Sequence, residues 1–178
     1  MPSILSGLVP AAAAAVLHVL SPTLASAPAS EGATPAVAAP LTQKNVSMEQ
    51  AVQIVQAATE FCKESDPRIS IAVLDRDGLI RLLVRTNGAQ PHNLDLARRK
   101  AYTAKTFKMT SADWTKRTAP GSDVEAQRQL EDTIALGGGV PIMIGTDAIG
   151  AVGVSGNSQT GDEACAKAGV AAIASQLK

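Results

Sequence analysis

Charge is missing from one end of this 178-residue chain: all 16 Lys and Arg lie at or after Lys44, and only Glu31 of the 16 Asp and Glu precedes it. A stretch of Ala, Pro, Ser, Leu and Val with almost no charge has no polar face to set against an apolar one. Only residues 44–178 therefore have the mixed composition of a folded domain, and they are enough for one core. They carry 16 basic and 15 acidic groups, a net of +1. That balance argues against a nucleic-acid partner, which needs a basic surface.

Ile4 to Leu20 is apolar apart from small residues and His18, and Ala25-Ser26-Ala27 follows as an A-x-A pattern. This reads as a secretory signal peptide over residues 1–27. Pro10 and Pro22 break the stretch and it is short for a span, so stable membrane insertion is not expected. Residues 28–43, rich in Ala, Pro and Thr, read as a flexible linker into the domain at 44–178. The expected location is periplasmic or secreted. There are two cysteines, Cys62 and Cys165. In an oxidising compartment an even count invites a disulfide. Two small buried hydrophobes are the other reading.

Ser47 and Gln50 form a capping box, opening a helix to about Lys63 with Ala51, Ile54, Val55, Ala58, Phe61 and Cys62 as its apolar stripe. Pro67 cannot continue it. Ile69–Leu74 and Leu79–Arg85 read as a hairpin around the turn Asp75-Arg76-Asp77-Gly78. After a loop at residues 87–92, Asn93 is a plausible N-cap for a helix to Phe107. Leu94, Ala97, Ala101 and Ala104 fall on one face of that helix, and Arg98, Arg99, Lys100 and Lys105 form its basic side. Ser111–Arg117 reads as a short helix carrying Trp114. Ser122–Leu130 reads as an irregular helical stretch with Ser122 and Glu125 as a capping box. Val140–Ile144 and Ile149–Val154 read as strands around a turn containing Asp147, with Pro141 suited to an edge. Thr160 and Glu163 suggest a third capping box for a helix to about Leu177, packed through Ala164, Ala168, Ala171 and Ala172. The order is helix, hairpin, helices, hairpin, helix. That predicts an α+β fold, an antiparallel sheet covered by helices.

His92 is the only histidine after the signal region, on a loop before a helix and beside Pro91. Such a histidine can ligate haem iron or a metal, or simply bond local backbone. Arg85, Arg98, Arg99 and Lys105 can pair with haem propionates, or form a solvated helix face. Tyr102, Met109 and Cys62 are possible iron ligands that read better as packing residues. The glycines of Gly150-x-x-Gly153-x-x-Gly156 fit neither a dinucleotide fingerprint nor a P-loop, and read as positions where backbones approach closely. Ser155, His92 and Asp162 have the residue types of a hydrolase triad, but there is no G-x-S-x-G elbow. One histidine cannot make H-E-x-x-H. No catalytic constellation is recognisable.

Four segments together resemble one family. They are Ile71-Ala72-Val73-Leu74-Asp75-Arg76-Asp77-Gly78, Arg99-Lys100-Ala101-Tyr102-Thr103-Ala104, Gly138-Gly139-Val140-Pro141-Ile142, and Gly150-Ala151-Val152-Gly153-Val154-Ser155-Gly156 with Asp162-Glu163. They resemble the motifs of the GlcG/HbpS-like haem-binding family, related to the C-terminal domain of PduO cobalamin adenosyltransferases. The resemblance covers roughly Ser47 to Leu177. It implies a two-layer, profilin-like domain, assembly into a homo-oligomer, and haem binding with a role in storage, sensing or turnover. It also implies that the first and last helices lie close, which would join Cys62 to Cys165. The leading reading is an exported binder of haem or a related tetrapyrrole. In the alternative, a small-molecule enzyme or auxiliary factor, the loop Asn87–Asn93 and the turn Gly150–Asn157 line a pocket with His92 as acid–base residue. A ligand-free interaction module is the third.

Overall fold

The computed structural model describes residues 38–178, so the signal peptide and most of the linker expected from the sequence lie outside the described residues. Leu41–Lys178 forms a compact unit. Helix α1, Met48–Cys62, begins at the expected capping box: the Ser47 hydroxyl accepts the Gln50 N–H at 3.2 Å, and the Gln50 carboxamide oxygen accepts the Ser47 N–H at 3.0 Å. Its buried face is Ala51, Ile54, Val55, Ala58 and Cys62. Phe61, expected in that stripe, stands at its margin and is 56% exposed.

Strands β1, Ser70–Leu74, and β2, Ile80–Arg85, form the expected hairpin. The Asp75 carboxylate accepts the N–H groups of Asp77 and Leu79 at 2.9 and 3.0 Å, and Gly78 takes a positive φ of 80°. Strands β3, Gly139–Ile144, and β4, Asp147–Ser155, complete an antiparallel sheet of order β2-β1-β4-β3. Pro141 is indeed on an edge strand, where a missing N–H costs no ladder bond. Asp147, expected in the turn, is already the first residue of β4.

The α+β class and the helix-covered antiparallel sheet are both present. The cover is divided between the two faces. Ile71, Val73, Val140, Ile142, Val152 and Val154 pack against α1 and against α4, Gln159–Ala171. Ala72, Leu74 and Ala151 face Ala97, Ala101 and Ala104 of α2, His92–Phe107. Covered on both faces, β1 is buried throughout rather than alternating. A Cβ on Gly153 would lie 2.0 Å from the Ala97 carbonyl oxygen, and one on Gly139 2.0 Å from that of Lys100. The backbone of α2 therefore rests directly on β3 and β4, as the glycine spacing suggested.

Several local readings are corrected. Asn93 is not the cap of α2: Pro91 is already helical, with φ −57° and ψ −39°, and Asn93 is buried within the first turn. The Ser122–Glu125 capping box does not form. Glu125 instead accepts the Gly121 N–H at 2.7 Å, and the segment makes only the 3-10 turn Glu125–Gln129. It packs on α3, Ser111–Arg117, through Arg128, which donates to the carbonyls of Thr115 and Thr118. Helix α4 is capped by Ser158, whose hydroxyl accepts the Gly161 N–H at 3.1 Å, rather than by Thr160. It stops at Ala171, and its buried side is Asp162, Cys165, Ala166 and Gly169, not the four alanines expected. Alanines on nearly every face of a helix carry little directional signal, and the bond at Cys165 sets the face. Cys62 and Cys165 form that disulfide, joining α1 to α4 with Cα atoms 5.6 Å apart. Among the described residues no helix is long and apolar enough to cross a membrane.

Candidate functional site

Helix α2 organises the chemistry-bearing residues. Its inner side carries Lys100, whose ammonium lies 2.8 Å from the Asp162 carboxylate, with side-chain exposures of 3% and 2%. The same ammonium donates to the Val154 carbonyl at 3.1 Å, and the Asn157 N–H donates to Asp162 at 3.0 Å. Burial pushes the Asp162 carboxyl above the ordinary carboxylate range. The Lys100 charge and the N–H groups of Asn157 and Gly156 pull it back. Gly138 closes the site, since a Cβ there would stand 2.8 Å from the Asp162 Cβ. Lys100 is thus not part of a solvated basic face. The sequence did hold a signal for this: Lys100 sits three residues after Ala97 and four before Ala104, on the apolar stripe.

Three of the four motifs meet at this pair: Lys100 from the α2 motif, Gly138 from the β3 motif, and Val154 and Asp162 from the last one. Their shared chemistry is a buried lock, not a ligand site. Asp162 is bonded to Lys100, and the Ser155 hydroxyl donates to the Asn93 carboxamide oxygen at 3.3 Å. Neither is hydrogen-bonded to His92 as a triad would require.

His92, the first residue of α2, is exposed and its imidazole makes no hydrogen bond among the described residues. Arg98 pairs with Asp95 and Asp132, each at 2.9 Å. Arg99 donates to the Thr133 carbonyl at 2.6 Å and lies 4.0 Å from Asp95. These two arginines staple the segment at Asp132–Thr133 to α2. Arg85 donates to the Ala89 carbonyl at 3.3 Å, bracing the loop before His92. Lys105 lies at the far end of the helix, about 20 Å from His92 along the axis at 1.5 Å per residue. The five residues therefore lie on α2 and at the end of β2 but do not converge on one point. Of the other possible iron ligands, Cys62 is spent in the disulfide. Tyr102 packs on Gly78 beside β1.

Next to His92 lies a small polar pocket of about 150 Å³, lined by Asp66, Arg68, Gly88, Gln90, Asn93 and Gly156. The loop at Asn87–Asn93 and the turn at Gly150–Asn157 do meet there, and the lining side chain is Asn93 rather than His92. Two larger grooves lie elsewhere. One, of about 490 Å³, runs between α3 and α4 past Ala112, Lys116, Ala164 and Lys167. The other, of about 700 Å³, lies between α1 and α4 beside the exposed Phe61.

The family model described as haem degrading protein HbpS-like matches residues 46–171. The chain belongs to the HbpS-like family. The match runs from Val46, the first buried residue among those described, to Ala171, the end of α4, so it takes in the whole helix-covered sheet of this HbpS-like chain. Among solved structures, HbpS is 32% identical over 77% of this chain and 99% of its own, with a TM-score of 0.70. Klebsiella pneumoniae protein ORFY is 25% identical over 80% of this chain and 99% of its own, at 0.73. PduOC, solved as a haem complex, is 24% identical over 72% of this chain and 95% of its own, at 0.67. That last likeness speaks for the fold alone.

Proposed function

We propose that this HbpS-like chain is an exported haem-binding protein that works as a homo-oligomer, with His92 as the iron ligand. The observation that carries the reading is the match of a haem-degrading family to the whole of the folded unit. The HbpS structure, alike over nearly its full length, supports it.

His92 fits the iron of the group. A neutral imidazole is a common haem ligand, and His92 is exposed with no competing bond among the described residues. The pocket beside it, at about 150 Å³, falls below the range of roughly 300–1,000 Å³ that encloses a ligand of drug size. Neither larger groove includes His92. In this reading His92 would hold haem at the surface at the head of α2, and a second copy of the chain would help to cover it. Bound haem would supply redox-active iron, and the protein would hold, orient and shield it, for storage, sensing or turnover. Arg98, Arg99 and Lys105 on α2 and Arg85 at the end of β2 are the cations proposed to meet the propionates. Arg98 and Arg99 would have to share their carboxylate and carbonyl partners to take a propionate.

The visible spectrum of the ferric complex tests the ligand. Wild-type protein should show a saturable, shifted Soret band, and His92→Ala should lose or displace it. An unchanged spectrum in the variant would move the ligand elsewhere. Sedimentation should give an oligomer, and N-terminal sequencing of the exported protein should begin after Ala25 or Ala27.

A further inference from the structure

We propose that the pocket at the head of α2 is a carboxylate site in which Asn93 and Arg68 are the hydrogen-bond donors. This rests on the haem-binding reading for its physiological ligand: the carboxylate held there is one haem propionate.

Asn93 is only 6% exposed, yet it lines the pocket. Its carboxamide oxygen accepts the Ser155 hydroxyl, which fixes the orientation of the group. Its NH2 end has no acceptor among the described residues. That end of the side chain is open to the pocket, and a ligand oxygen there would give it an acceptor. Arg68 brings the second donor. Its Nε and Nη2 grip the two oxygens of Asp66 at 3.0 and 3.1 Å, and its own N–H reaches Asp66 at 3.0 Å. That grip holds the guanidinium plane, occupies both Asp66 oxygens and leaves Nη1 without a partner among the described residues.

The Arg68–Asp66 pair is neutral as a unit. Selection in the pocket is therefore by aimed donors rather than by excess charge. Two separate donors suit a planar two-oxygen acceptor. A phosphate would set more negative charge against Asp66. Gly88 and Gly156 form walls without side chains, so a short acid arm can reach the backbone. The positive end of the 16-residue helix α2 begins here and favours an anion. Arg98 and Arg99, on the outer face of α2, are bonded to Asp95, Asp132 and Thr133 and do not line this pocket. His92 and Asn93 are consecutive, so one turn of one helix presents both an imidazole and a carboxylate donor.

The test uses the full chain and two probes. Sodium propionate is titrated while the Asn93 side-chain amide is followed by 15N NMR. Haemin and its neutral dimethyl ester are titrated in parallel, in wild type and in Arg68→Gln, a change at an exposed position. The expected result is a saturable shift of the Asn93 NH2 signals, weakened about tenfold in Arg68→Gln, as for one charge-assisted hydrogen bond. Haemin should also bind about tenfold more weakly to Arg68→Gln, while the dimethyl ester should not distinguish the two proteins. No saturable shift in wild type overturns the carboxylate site, whatever haemin does. A saturable shift without haemin binding upholds the site and discards the haem reading. A saturable shift with haemin indifferent to Arg68→Gln overturns the propionate assignment and leaves a site for free carboxylates.

Discussion

Lys100 and Asp162 stand 2.8 Å apart in the interior, on a helix from the middle of the chain and a helix from its end. Each is satisfied by the other and by backbone groups at Val154, Gly156 and Asn157. Removing one partner leaves an uncompensated buried charge or its desolvation cost. Asp162→Ala should therefore destabilise by about 3–5 kcal/mol. Lys100→Met with Asp162→Leu should cost clearly less than the single change. Urea denaturation of the three proteins checks this; a double variant worse than Asp162→Ala would refute the lock.

The contact of α2 with the sheet has no room for a methyl group at Gly153. Gly153→Ala should destabilise by at least the ~1–3 kcal/mol of ordinary overpacking, because the obstacle is the Ala97 backbone and not a mobile side chain. Gly121→Ala is an informative contrast. A Cβ there meets nothing within 4 Å, so its effect comes only from its φ of 84° and should be smaller. Thermal melts of both variants decide the order.

The disulfide closes a loop of 103 residues. In the chain-entropy account such a cross-link contributes about 4–5 kcal/mol. The Cys62→Ala, Cys165→Ala protein should lose stability of that order, and the unreduced denatured wild type should show no reactive thiol. Two thiols titrating without reductant would contradict the bond.

The carboxylates set opposing slopes against pH. The hydrogen bond from Arg76, at 2.6 Å, holds Asp147 below the ordinary range, and that from Arg68 does the same for Asp66. A depressed folded value contributes stability above the unfolded value of about 4, lost as pH falls through the folded one. Asp162 has the opposite sign. Its folded value is raised by burial, so its contribution is present below about pH 4 and fades as pH rises through the folded value. Asp147→Asn should therefore lose less melting temperature than wild type between about pH 5 and pH 3. Parallel losses would show that the Arg76 pair contributes nothing.

Much of the fold was legible because backbone rules are local. The Ser47–Gln50 box, the Asp75–Gly78 turn and the edge position of Pro141 follow from residues a few positions apart. What was not legible depended on partners far along the chain. Lys100 looked like its basic neighbours until Asp162, 62 residues on, was placed against it. Asn93 looked like a cap because the residue type favours that role, and only the contact with Ser155 shows it buried. The alanine stripe of α4 misled because nearly every face of that helix offers an alanine. At the candidate site, the sequence supplied His92 and the two loops that meet beside it. It missed Arg68 and the Asn93 donor, which become a pair only when the β1 approach and the start of α2 are folded together.

Haem binding through His92 at the head of α2 is the proposed function, and a haemin titration of wild type and His92→Ala, followed in the Soret region, tests it. Wild type should give a saturable band at defined stoichiometry that is lost or displaced in the variant. Absence of any saturable band in wild type would contradict it.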